Sequence, residues 1–99
     1  MLNIEKKTEG SSLTIALSGR LDTVTAPELE GALKESLNGV TELVIDMENL
    51  EYISSAGLRV LLAAQKAMNT QGEMKVTKVS EVVMEVFQVT GFADILTIE

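Results

Sequence analysis

The sequence predicts an α/β fold, a mixed and mainly parallel sheet with flanking helices, in the order β-β-α-β-α-β-α-β. Three observations carry this expectation. Short runs with apolar residues at alternate positions are interleaved with longer runs whose apolar residues recur at helical spacing. Strands alternating with helices imply right-handed crossovers between parallel neighbours. Two strands joined by a short turn open the chain, which makes the sheet mixed. The chain has 99 residues, the size of one domain, and residues 1–99 are expected to form a single one.

Leu2 to Thr8 sets Leu2 and Ile4 among polar neighbours and reads as an edge strand. Glu9-Gly10-Ser11 is a turn signal. Leu13, Ile15 and Leu17 then alternate with Thr14, Ala16 and Ser18 as a half-buried strand that closes a hairpin with the first. Gly19 to Thr25 reads as a loop. In the helix that follows, Thr25 is the expected N-cap and Pro27 falls in the first turn, where its missing N–H does no harm. Glu28 then completes a capping box with Thr25. Leu29, Ala32, Leu33 and Leu37 give the apolar stripe, and Asn38-Gly39 ends the helix.

Leu43-Val44-Ile45 is a continuous apolar run, as expected of a strand covered on both faces. Asp46 is expected to end it, with Met47 to Ile53 as a loop. A second helix starts at Ser54 or Ser55 and carries the stripe Leu58, Leu61, Leu62 and Met68, with Ala63 and Ala64 allowing close packing. Gln71-Gly72 closes it. Met74, Val76 and Val79 mark another strand. Ser80 is the expected cap of a third helix with Val83, Val86 and Phe87 on its apolar face. Its several valines are mediocre helix formers, so burial must stabilise it. Gly91 is the expected C-terminal cap, and Ile95, Leu96 and Ile98 form a last strand.

Composition narrows the function. Hydrophobic residues make up 45% of the chain, which argues against intrinsic disorder. Aromatics are only 3%, so the core must be built from aliphatic side chains. A formal net charge of -7 argues against nucleic acid and against an anionic membrane surface, since both need a positive face. The absence of Cys excludes thiolate catalysis and Cys-ligated zinc, and the absence of His removes the commonest general base and metal ligand. Met1 to Gly10 carries early charges and no long apolar run, unlike a signal peptide. No stretch approaches a membrane span. A cytoplasmic protein that uses no metal and no cofactor is expected.

In open α/β sheets, function gathers beyond the carboxyl ends of the strands. Two connections can lie there, Gly19 to Thr25 and Asp46 to Gly57. Neither contains a phosphate-cradling glycine motif. One of Ser54 and Ser55 is expected to cap the second helix. Gly57, inside the first turn, costs about 1 kcal/mol relative to Ala. Either a binding partner comes close to the backbone there, or the turn packs tightly on a strand. Asp22 and Asp46 occupy turn positions where Asp commonly holds backbone N–H groups, which leaves acid–base or metal chemistry as the minor reading. A catalytic serine would need a base, and there is no His.

The run Leu43-Val44-Ile45-Asp46-Met47-Glu48-Asn49-Leu50-Glu51-Tyr52-Ile53-Ser54-Ser55-Ala56-Gly57-Leu58 closely resembles the signature of anti-sigma factor antagonists, the small STAS-domain proteins. Upstream, Gly19-Arg20-Leu21-Asp22-Thr23 with Ala26-Pro27-Glu28-Leu29 is similar to that family's second motif. Downstream, Val86-Phe87-Gln88-Val89-Thr90-Gly91-Phe92 resembles its third-helix ending. The resemblance covers nearly the whole chain, in order.

The resemblance implies a STAS-like fold and a non-enzymatic function. The unphosphorylated protein would bind an anti-sigma factor that is also a serine kinase, and so release a sigma factor for transcription. Phosphorylation would switch it off, and a PP2C-type phosphatase would restore it. By the motif, the acceptor is Ser55, with Ser54 as the alternative. Ser54 stands where many members carry Asp, and Ala56 replaces a second small polar residue. The implied partner-binding residues are Asp22, Thr23, Ser54, Ser55, Ala56, Gly57 and Arg59. Asp22 is expected to serve the binding surface and Asp46 mainly to support its loop. The alternative reading is a STAS interaction module of a sensory or transport assembly without a sigma-factor role.

Overall fold

Residues 1–99 are described by a computed structural model. The elements are β1 (Leu2–Glu9), β2 (Ser12–Leu21), α1 (Ala26–Ser36), β3 (Glu42–Ile53), α2 (Ser55–Asn69), β4 (Glu73–Thr77), α3 (Glu81–Thr90) and a short 3-10 turn, Phe92–Asp94. The sheet has strand order β1-β2-β3-β4. β1 and β2 form the antiparallel hairpin, and β2–β3 and β3–β4 are parallel. The α/β class and the element order are those the sequence predicts.

The last strand contracts to a single parallel bridge between Val76 and Ile98. Ile95 and Leu96 are drawn into the turn after Gly91, each donating its N–H to the Phe92 carbonyl, at 3.0 and 2.9 Å. Only the final residues can then reach β4.

The covered face of the sheet is built by alternation. Leu13, Ile15 and Leu17 of β2, Leu43, Ile45 and Met47 of β3, and Met74 and Val76 of β4 are buried, whereas Thr14, Ala16, Ser18, Val44 and Lys75 are half-exposed. Val44 therefore lies on an open face, and the strand is not covered on both sides as its apolar run suggests. One core of 24 buried residues joins that face to the helices. Leu29 and Leu33 enter it from α1; Leu58, Val60, Leu61, Ala64 and Met68 from α2; Val83 and Phe87 from α3. Leu62 is only half-buried and Ala63 is exposed, so the stripe of α2 is rotated from the expected one.

β3 is longer than expected. It continues past Asp46 to Ile53, paired with β2 through two register shifts, one between Ala16 and Ser18 and one between Gly19 and Arg20. At each shift β3 contributes an extra residue, which is the mark of a bulge. Met47, Leu50 and Ile53 are buried, each pair separated by two exposed residues. This spacing of three hides the strand from a search for strict alternation. Asp46 sits at the first bulge, where its Oδ1 accepts the Glu48 N–H at 2.9 Å and its Oδ2 lies 3.8 Å from Lys78 Nζ.

The capping expectations divide. Ser80 Oγ accepts the Val83 N–H at 3.3 Å, and Gly91 ends α3 with φ 83°, a left-handed conformation that suits glycine. Thr25 precedes α1 but makes no side-chain cap bond to it. Its hydroxyl is directed into the preceding loop instead.

The candidate site where two helices begin

The carboxyl ends of β2 and β3 lie side by side, with Leu21 opposite Ile53. The Ser54 N–H donates to the Leu21 carbonyl at 2.9 Å, which ties the start of α2 to the end of β2. Asp22 follows Leu21 and Ser55 follows Ser54, so this one hydrogen bond brings the two candidate connections together. Asp46 stays apart, opposite Ala16 in the register. The two aspartates form no pair.

The β2–α1 loop is organised by Asp22. Its Oδ1 accepts the N–H groups of Val24 and Thr25, each at 3.0 Å, and the Thr25 hydroxyl at 3.2 Å. That one hydroxyl proton is shared with the Arg20 carbonyl, the nearer acceptor at 2.8 Å, and Thr25 Oγ1 accepts the Asp22 N–H at 2.9 Å. Thr25 is buried, so its hydroxyl is satisfied within this loop. The arrangement replaces the expected Thr25–Glu28 capping box. The Thr25 backbone N–H, with further help from the Thr25 hydroxyl and the Val24 N–H, holds the Asp22 carboxyl below its ordinary range; partial desolvation opposes this. Asp22 therefore also carries structural weight in its loop, a duty the sequence assigns mainly to Asp46, whose Oδ1 does hold the Glu48 N–H of its own turn. Thr23 and Val24 project from the loop into water.

The start of α2 is built differently. Ser54 is its N-cap in extended conformation, and its Oγ accepts the Gly57 N–H at a long 3.4 Å. Ser55 is the first helical residue; it is exposed and its hydroxyl makes no hydrogen bond within the chain. The first turn contains no acidic residue. Arg59, one turn further along, is exposed on the same side of the helix as Ser55. Ala56 is half-buried and Gly57 buried. A Cβ on Gly57 would meet Leu21 Cγ at 2.7 Å and Ile53 Cγ1 at 3.0 Å. This decides between the two readings of that glycine: the first turn of α2 is pressed onto the ends of both strands.

A contact absent from the sequence reading borders the site. The Arg20 guanidinium lies over the Tyr52 ring, 4.3 Å from its centroid, and Arg20 Nε is 4.0 Å from Asp22 Oδ2. Arg20 and Tyr52 are opposite one another only because of the second bulge, so their spacing in sequence gave no signal. The Asp22–Thr25 spacing did carry one, since Asp commonly accepts backbone N–H groups two and three residues on.

The STAS domain profile matches residues 3–99. The anti-sigma-B factor antagonist of Staphylococcus aureus is 32% identical over 97 residues, which cover 96% of this chain and 90% of that one. Among solved structures, an anti-sigma factor antagonist from Mycobacterium paratuberculosis superposes with a TM-score of 0.90 at 23% identity, over 99% of this chain and 85% of that one. The anti-sigma factor antagonist SpoIIAA in its unphosphorylated form gives 0.84 at 19% identity, over 98% of this chain and 88% of its own. The phosphorylated form of Bacillus SpoIIAA gives 0.76 at 18% identity, over 98% and 91%. At these identities the structures speak for the fold.

The chain belongs to the STAS domain family, and within it to the kind formed by the anti-sigma factor antagonists. That kind of protein is regulatory rather than catalytic. No helix is long and apolar enough to cross a membrane.

Proposed function

We propose that this protein is an anti-sigma factor antagonist controlled by phosphorylation of Ser55. In this reading the unphosphorylated chain binds an anti-sigma factor that is also a serine kinase, and a sigma factor is released. The kinase phosphorylates Ser55, which weakens the complex, and a PP2C-type phosphatase resets the switch. The setting is the cytoplasm, where those partners work, and residues 1–99 act as one domain. The name of the Staphylococcus aureus relative supports the antagonist role. SpoIIAA, a chain of the same fold, occurs in both phosphorylated and unphosphorylated forms.

The observation that carries the choice of residue is the free Ser55 hydroxyl beside an engaged Ser54. Ser54 Oγ is engaged as the cap of α2, accepting the Gly57 N–H. Ser55 can take a phosphate without giving up a bond. The group adds about -1.5 to -2 charges at neutral pH. At the first position of α2 that charge meets free N–H groups and the positive end of the helix dipole, a favourable term of about 0.3–1 kcal/mol. The fold therefore keeps its stability, and the effect of the phosphate falls on the interface. Misplaced charge there costs several kcal/mol, and about 1.4 kcal/mol is tenfold in affinity.

The partner surface in this reading comprises Asp22, Thr23, Ser54, Ser55 and Arg59, with Ala56 and Gly57 setting the height of the helix start beneath them. Treating the protein with its cognate kinase and ATP, then mapping the phosphate by mass spectrometry, tests the assignment. Label on Ser55 is expected; label confined to Ser54 overturns it.

A further inference from the structure

The third helix carries apolar surface that the fold does not use. Val83 and Phe87 are fully buried and anchor α3, which packs against β3. Val82 and Val89 point outward, 62% and 80% exposed, with half-buried Val86 between them. Spacings of four and three residues place these side chains in a row along one face of the helix. With Glu85 and Thr90 they line a shallow depression. Valine is a mediocre helix former, and at a position facing water it gains no burial in return. Val86 also packs against the core, but neither local propensity nor the core accounts for Val82 and Val89 on either side of it.

Its charge setting is one-sided. Glu81 and Glu85, one turn apart, run beside the valines, and α3 contains no Lys or Arg. The cations of the preceding segment are engaged elsewhere, Lys75 with Glu99 at 3.6 Å and Lys78 with Asp46 at 3.8 Å. Neither glutamate forms an ion pair within the chain.

We propose that the Val82–Val86–Val89 row is a docking surface for an amphipathic helix of a partner protein, one whose apolar stripe is edged with Lys or Arg. An exposed apolar row with a charged flank is what a helix-to-helix contact of this type uses. The valines supply the burial, and the unpaired glutamates set orientation and partner choice. A second copy of this chain is a poor occupant. Two α3 helices face to face would bring glutamates together with no base on either, in a chain of net charge -7. The proposal is independent of the phosphorylation of Ser55.

Titrating the isotope-labelled full chain with a designed helical peptide tests it. The peptide carries leucines spaced by four and three residues with lysines on both flanks, and amide shifts are followed by NMR. Shifts centred on residues 82–89 are expected. Binding should weaken about tenfold or more in the Val82→Ser/Val89→Ser double variant, and severalfold in Glu81→Gln/Glu85→Gln. These positions are exposed, and an unchanged melting temperature in both variants shows that the fold is kept. The same peptide with glutamates in place of lysines should not bind. Absence of shifts on α3, or equal binding by the glutamate-flanked peptide, overturns the proposal. So does self-association that Val82→Ser abolishes, which would assign the row to a second copy.

Discussion

Two helices begin at the same end of the sheet, and they begin in opposite ways. The β2–α1 connection is closed upon itself: one Asp22 oxygen accepts two backbone N–H groups, and the buried Thr25 hydroxyl is spent between the Arg20 carbonyl, the Asp22 carboxylate and the Asp22 N–H. The β3–α2 connection has one long cap bond from Ser54 and leaves the Ser55 hydroxyl free in water. The first connection has used up its polar groups in making a fixed shape. The second keeps a nucleophilic hydroxyl and helix N–H groups in reserve, and the tight seat of Gly57 on Leu21 and Ile53 fixes where that hydroxyl stands. A rigid loop next to an uncommitted helix terminus is what a chemically switched surface needs, because the modification then changes the surface without changing the fold.

The largest stability effect should come from the seat of α2. In Gly57→Ala the new methyl group presses on buried Leu21, 2.7 Å away, and on Ile53, at a cost of about 2–3 kcal/mol, the upper part of the range for overpacking, while Ala returns about 1 kcal/mol of helix propensity. A net loss of about 1–2 kcal/mol would lower the melting temperature by about 5–10 °C in a domain of this size. Calorimetry that finds Gly57→Ala as stable as the parent would show that the seat is not tight.

Next comes the loop carboxylate. Asp22→Ala should lower the melting temperature, because the N–H groups of Val24 and Thr25 lose their acceptor. The effect should depend on pH. The folded-state pKa of Asp22 is lowered from 3.8, so its contribution is full above that value and is lost as pH falls through the lower folded value. The stability advantage of the parent over Asp22→Asn should therefore shrink in acid. Melting curves showing a difference independent of pH would contradict the role given to this carboxylate.

The smallest effects separate the two serines. Ser54→Ala should cost about 0.5–1 kcal/mol, the lower part of the range for a lost cap, since its bond is long. Ser55→Ala should stay within about 0.5 kcal/mol of the parent, as a surface change that removes no internal bond. Denaturant titration of the pair would reverse the assignment of cap and free hydroxyl if Ser55→Ala proved the more damaging.

Much of the fold was legible because local signals agreed with it. β2 alternated strictly over Leu13, Ile15 and Leu17, and Ser80 and Gly91 bracketed α3 by their capping chemistry. The second half of β3 was hidden because two bulges turned a period of two into the three-residue spacing of Met47, Leu50 and Ile53. Val44 misled in the other direction: a run of three apolar residues looks the same whether its middle member faces a second layer or water. At the site, the positions of Ser54, Ser55 and Gly57 could be read from their order, but the division of labour could not. Which serine caps α2 depends on where Ile53 leaves the sheet, and the Arg20–Tyr52 contact exists only through the register of β2 on β3. Thr25 had the right identity and place for a cap, yet tertiary demand from Asp22 and Arg20 took its hydroxyl.

The central claim is that a phosphate on Ser55 acts on the interface and leaves the fold alone. Its most direct test is a calorimetric titration of the cognate anti-sigma partner with the Ser55-phosphorylated and unphosphorylated protein, paired with the melting temperature of each form alone. Affinity for the partner should fall about hundredfold or more on phosphorylation, as expected for a misplaced interfacial charge, with the melting temperature unmoved or raised by up to about 5 °C. Equal affinity in the two forms, or a phosphorylated protein that has lost its cooperative melting transition, would contradict it.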